Sequence, residues 1–127
     1  MLSKIILNLL LGFIIGFLLE FTYRSFKTKK IIIPKLINYQ MYGITGAFLV
    51  FIYFLDTLLI IKLIAIFLFP TIIEFTTGYL YLKIKKTFLW DYFKEPFNFM
   101  GLVCPLFSVY WFVIAITYYY LILPLTL

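Results

Sequence analysis

The chain has 127 residues, 65% of them hydrophobic and 13% charged, with a formal net charge of +6 and no histidine. A soluble domain this short has too much surface for its volume to hide so much apolar material, so lipid is the expected solvent. The positive charge does not point to nucleic acid, because the basic residues form two short clusters between apolar runs, as loops flanking a membrane do.

The first apolar run extends from Ile5 to Tyr23 behind a single Lys4. It has no small-x-small cleavage site and continues through Glu20-Phe21-Thr22-Tyr23, so a retained span is expected in place of a cleaved leader. Gly12, Gly16 and Glu20 stand at i, i+4 and i+8, on one helix face. A basic loop, residues 24–36, follows with Arg24, Lys27, Lys29, Lys30 and Lys35. The second run, Ile37 to Leu55, contains Gln40, Tyr42 and the small-x-x-x-small pair Gly43 and Ala47. A tight hairpin around Asp56 and Thr57 leads to the third run, Leu59 to Leu82. There Pro70, Glu74 and Gly78 repeat the i, i+4, i+8 pattern. A second basic stretch, residues 83–96, carries Lys83, Lys85, Lys86 and Lys94. The fourth run, Phe99 to Leu123, contains Pro105, which is expected to kink a helix and free a carbonyl near Ser108.

Each run approaches the ~20 residues that cross a hydrocarbon core as a helix. None shows the polar/apolar alternation of a membrane barrel strand. The expected fold is an all-α membrane protein of about four transmembrane helices, forming a single polytopic domain over residues 1–127. Most of the 11 basic residues lie in the two loops that four spans place on one side. The positive-inside rule then makes loops 24–36 and 83–96 cytoplasmic and puts both termini opposite.

An internal repeat is also expected. Leu18-Leu19-Glu20-Phe21-Thr22 returns as Ile72-Ile73-Glu74-Phe75-Thr76. Each copy is followed by a basic loop and then by an amide three residues before a glycine: Gln40 and Gly43, then Asn98 and Gly101. Two spans per copy make this a parallel repeat of helix pairs, about 1–58 and about 59–127.

A carboxylate within a span costs about 2.5–3.5 kcal/mol to insert, so it normally faces a partner or a watery cavity. The candidate polar pocket comprises Glu20, Glu74, Asp91, Asn98 and Gln40. The competing reading is that the acids lock helix packing, or that Glu20 snorkels to the membrane surface. Gly12, Gly16, Gly43, Gly78 and Gly101 are expected packing positions, and Trp90 and Tyr92 expected interface anchors. Cys104, the single cysteine, has no disulfide partner. No metal-ligand set, nucleotide loop or catalytic triad can be assembled, and no cofactor is expected.

The stretch Ile73-Glu74-Phe75-Thr76-Thr77-Gly78, with Trp90-Asp91-Tyr92, Phe97-Asn98-Phe99-Met100-Gly101-Leu102 and Trp111-Phe112, resembles the transmembrane protein 229 family. It also resembles bacterial proteins labelled type IV ABC transporter permeases, the CmpB-like group. The first half matches more loosely, through Gly16, Glu20, Pro34 and Tyr42-Gly43. Phe93 stands where bacterial relatives often have serine after W-D-Y. The resemblance implies a compact multi-span protein with a polar site around Glu74, Asp91 and Asn98. Three roles follow: a transport-related component, an accessory or structural subunit, or an intramembrane enzyme acting on a lipid or isoprenoid. The first needs a homodimer or larger membrane complex, and a separate ATPase if driven by ATP, because the chain has no ATP-binding motif.

Overall fold

The computed structural model describes all residues, 1–127. Helix α1 spans Leu2–Thr28, α2 Leu36–Phe54, α3 Leu59–Lys85 and α4 Pro105–Thr117. A π-helical turn, Tyr118–Ile122, and a 3₁₀ turn, Leu123–Thr126, extend α4. With those turns, four helices are long and apolar enough to cross a membrane. There is no strand, only an isolated bridge between Phe99 and Val103.

Both long helices outrun their apolar cores and stop in the same manner. Lys29 after α1 and Lys86 after α3 adopt the left-handed conformation, with φ of 56° and 60°. That geometry turns the chain away from the helix axis. After α1, the Thr28 hydroxyl donates to the Arg24 carbonyl at 2.8 Å, and Ser25 Oγ accepts the Ile32 N–H at 3.1 Å. Hydropathy marks only the lipid-soluble part of such a helix, which is why α1 and α3 run several residues beyond the expected spans.

The fourth span starts later than expected. Residues 99–104 form a turn and α4 opens at Pro105, where the missing N–H is one that a helix terminus leaves unpaired anyway. Pro105 therefore starts the helix and does not kink it. The Cys104 carbonyl accepts the Ser108 N–H at 3.0 Å, so the Ser108 side chain is not needed there. The proline inside a helix is Pro70, in α3.

The chain forms two compact units: residues 1–56 with 118–127, and residues 57–117. The end of the fourth span thus belongs to the first unit. In that unit α1 buries Asn8, Gly12 and Gly16 along one face. A Cβ on Gly12 would lie 2.6 Å from Gly43 Cα, and one on Gly46 would lie 2.6 Å from the Asn8 carbonyl oxygen. The two backbones meet at van der Waals distance, which only small residues permit. The glycines of α2 that meet α1 are Gly43 and Gly46, spaced i, i+3, while Ala47 is half-buried. Tyr39 adds an edge-to-face contact with Phe17 at 5.5 Å.

In the second unit the buried stripe of α3 is Ile66, Pro70, Glu74 and Gly78, one residue per turn. Helix α4 answers with Ser108, Trp111 and Ala115. The Thr71 hydroxyl donates to Ser108 Oγ at 2.8 Å, and Phe67 packs on Phe112 at 5.6 Å.

Candidate functional site

Glu74 lies near the middle of α3 and is 2% exposed. Its Oε2 accepts the Trp111 indole N–H at 2.8 Å and the Tyr92 hydroxyl at 3.0 Å. Trp111 is positioned by α4; Tyr92 comes from the loop between α3 and α4. The Tyr92 ring is held by two other aromatic rings. It stacks on Phe107 with centroids 4.6 Å apart and planes 9° from parallel, and on Trp90 at 6.3 Å.

Gly78, one turn beyond Glu74, makes room for this arrangement. A Cβ there would lie 3.1 Å from both the Trp90 ring and a Leu102 methyl. Trp90 in turn donates its indole N–H to the Leu102 carbonyl at 2.8 Å. The spacing of Glu74 and Gly78 therefore has a mechanical meaning: the acid receives Tyr92, and the glycine seats Trp90 beside it. Trp90 and Tyr92 are half-buried parts of this cluster.

The loop conformation depends on two other motif residues. Asp91 is exposed and its Oδ1 accepts the Phe93 N–H at 2.9 Å, closing an Asx turn. The Asn98 amide donates to the Phe93 and Glu95 carbonyls at 3.2 and 3.1 Å, while its Oδ1 accepts the Gly101 N–H at 3.0 Å. Asp91 and Asn98 thus shape the backbone that presents Tyr92, and neither side chain meets Glu74. Gly101 lies in that turn with φ of 70°, under the Phe93 ring. Its carbonyl accepts the Tyr92 N–H at 3.0 Å.

Glu20 has a related environment in the first unit. Its Oε2 accepts Arg24 Nε at 2.9 Å and its Oε1 accepts the Tyr42 hydroxyl at 3.1 Å. The Tyr42 ring lies over Gly16, where a Cβ would come within 2.5 Å of it. Glu20 is thus an ion-paired acid near a helix end, and Glu74 accepts from an indole and a phenol in mid-helix. Gln40 is half-buried on α2. Glu20 and Gln40 belong to the first unit, and Glu74, Asp91 and Asn98 to the second.

The chain matches the family described as "Putative ABC-transporter type IV" over residues 7–127. It belongs to that family. The protein is accordingly an integral, multi-pass membrane protein of a transport-related family. No curated protein and no solved structure matches it. For this member of the type IV family, the residues of the E-F-x-x-G, W-D-Y and F-x-F-x-G segments and Trp111 converge on one cluster around Glu74 or on the loop that builds it. Nowhere do three or more His, Cys, Asp or Glu side chains gather as metal ligands.

One polar group escapes a reading focused on charge. Asn8 is completely buried, donates to the Lys4 carbonyl at 2.8 Å and to Thr126 Oγ1 at 3.0 Å, and accepts the Tyr118 hydroxyl. The signal was present: an amide in a leucine-rich run, two turns before Gly16 on the same face.

Proposed function

We propose that this protein is the membrane-embedded component of a transport system, with Glu74 as its working carboxylate. The observation that carries this reading is the burial of an acid in mid-span, where it accepts hydrogen bonds from Trp111 and Tyr92 on two different segments. A carboxylate is costly to insert and is not required for packing, since an apolar side chain of similar size would fill the same space. It supplies what an aqueous solute or cation needs in lipid: a concentrated negative charge or a proton acceptor. Tyr92 sits on the loop and Trp111 on α4, so loop movement changes the contacts Glu74 makes. That couples events at the membrane surface to the middle of a span.

The basic loops 24–36 and 83–96 face the cytoplasm in this proposal, and four spans per chain call for a homodimer or a larger membrane complex. Energy would come from a separate ATPase. The parallel features of α1 and α3 support an origin in two duplicated helix pairs. Both helices end on a left-handed lysine, and each carries a glutamate that accepts a tyrosine hydroxyl.

The test is purification of the tagged protein from its own membranes in mild detergent, followed by assay of ATP hydrolysis in the isolated complex. The proposal predicts a co-purifying ATPase whose turnover depends on this chain and falls in Glu74→Gln. Absence of any ATPase from the intact complex contradicts it.

A second reading has its own support. The hydrogen bonds from Trp111 and Tyr92 to Glu74 bind α3 to neighbouring segments, as a packing lock would. An accessory subunit built this way predicts that Glu74→Gln loses function only in proportion to lost stability.

A further inference from the structure

The end of α1 and the segment after it carry five basic residues, Arg24, Lys27, Lys29, Lys30 and Lys35, and no acid occurs between Glu20 and Asp56. The four lysines are exposed. Apolar side chains stand exposed among them: Phe26 and Ile31 are each 82% exposed and Ile33 is 72% exposed. Nothing in the chain covers these three, so whatever buries them comes from outside it.

The mixture is held in a fixed form. Residues 31–35 lie outside any helix and alternate as an extended segment does: Ile31, Ile33 and Lys35 are exposed, Ile32 is half-buried and Pro34 is buried. The Ile32 N–H donates to Ser25 Oγ at 3.1 Å, which ties the segment back to the last turn of α1. Arg24 is held as well. Its Nε donates to Glu20 Oε2 at 2.9 Å, while its two Nη groups donate to nothing in the chain and the side chain stays 32% exposed. Depth follows from helix length. The 27 residues of α1 rise about 40 Å, about 10 Å more than a hydrocarbon core. The apolar run ends at Tyr23, so the end bearing Arg24 and Lys27 stands at headgroup level.

We infer that the segment from Arg24 to Lys35 is a binding surface for anionic phospholipid, with Arg24 and the lysines on headgroup phosphates and Phe26, Ile31 and Ile33 in the top of the acyl layer. A guanidinium matches a phosphate with two parallel hydrogen bonds, and Glu20 holds that of Arg24 by the one nitrogen such a pair leaves over. Lysine stems lie along apolar surface while their ammonium groups reach the headgroups. Charge complementarity selects the occupant. An anionic leaflet adds about fivefold in affinity for each lysine near it, and its acyl layer accepts the isoleucines that water does not. The inference uses only residues of the first unit and is independent of any role for Glu74.

A fluorescent probe at Ile31 tests it. Cys104 is the sole cysteine, so Ile31→Cys in a Cys104→Ala background takes a polarity-sensitive dye at one exposed position. The full-length protein is placed in nanodiscs of phosphatidylcholine, with or without phosphatidylglycerol. Quenching is read with acrylamide from the water and with a lipid carrying a nitroxide near the top of its chain. Phosphatidylglycerol should lower acrylamide quenching at least about threefold and raise nitroxide quenching, and combining Lys27→Gln, Lys29→Gln, Lys30→Gln and Lys35→Gln should abolish that response. A probe that stays open to acrylamide in both lipids overturns the inference, the result expected if an acidic protein were the partner. Equal nitroxide quenching with and without phosphatidylglycerol also overturns it, because apolar insertion alone needs no anion. Native mass spectrometry of the unlabelled protein needs no cysteine. Wild type should retain phosphatidylglycerol over phosphatidylcholine by at least about tenfold, and the four-lysine variant should lose that preference. Equal retention of the two lipids by wild type overturns the inference even if the labelled variants fold poorly.

Discussion

The indole of Trp111 on α4 donates to the carboxylate of Glu74 on α3 at 2.8 Å, with both residues buried. Trp111→Phe keeps an aromatic ring while removing the donor and part of the buried ring volume. It should lower stability by about 1–2 kcal/mol, measured by thermal or denaturant unfolding in detergent. Tyr92→Phe, nearer the membrane surface, should cost less. Because both donors meet the same carboxylate oxygen, the double variant should depart from additivity.

Glycine contacts between α1 and α2 predict a steep size dependence. A Cβ on Gly46 meets the Asn8 backbone carbonyl at 2.6 Å, and one on Gly12 meets the Tyr42 carbonyl at 2.5 Å. Backbone cannot rotate aside, so the helices must separate. Gly46→Ala and Gly12→Ala should each cost about 1–3 kcal/mol in the same unfolding assay. Ile44→Ala, on an exposed position of α2, should be close to neutral.

The buried amide of Asn8 ties the start of α1 to the π and 3₁₀ turns at the chain's end, through Tyr118 and Thr126. Asn8→Leu removes the acceptor and leaves a phenol hydroxyl buried, which should cost about 1–3 kcal/mol. Tyr118→Phe in the Asn8→Leu background should recover part of that loss. A double-mutant cycle showing no coupling between the two positions would count against this link.

The loop that presents Tyr92 predicts two substitutions of opposite sign. Gly101 has a φ of 70° and lies under the Phe93 ring, so Gly101→Ala should destabilise by about 1 kcal/mol or more. Phe97 also holds a left-handed φ, of 56°, yet its side chain is 91% exposed. Asparagine tolerates that backbone better, so Phe97→Asn should stabilise by a few tenths to about 1 kcal/mol. Thermal unfolding of the two variants checks both signs.

Four spans and the paired glycine-and-acid faces were legible because hydropathy and helical spacing are local properties. The stripe Pro70, Glu74, Gly78 predicted from spacing is the buried stripe of α3. The start of the fourth span was not legible. Phe99, Met100 and Leu102 are apolar enough to pass for helix, and what decides against it is the hydrogen bonding of Asn98 and the backbone of Gly101. Pro105 carries the same ambiguity, since a proline suits a helix start as well as a kink. Around Glu74, the acid could be found from sequence but its partners could not. Tyr92 and Trp111 lie 18 and 37 positions away, and no periodicity links them. Asp91 and Asn98 drew attention as polar residues in a distinctive motif, although both spend their hydrogen bonds on the turn.

The central claim is that Glu74 serves a ligand and not packing alone. Wild-type protein and Glu74→Gln, purified in parallel, should be compared by native mass spectrometry for bound small molecules or lipids, with thermal unfolding recorded on the same samples. The account predicts a species that co-purifies with wild type and is lost from a Glu74→Gln protein that remains folded. If nothing binds wild type and Glu74→Gln merely melts earlier, the carboxylate is a packing device and the claim is wrong.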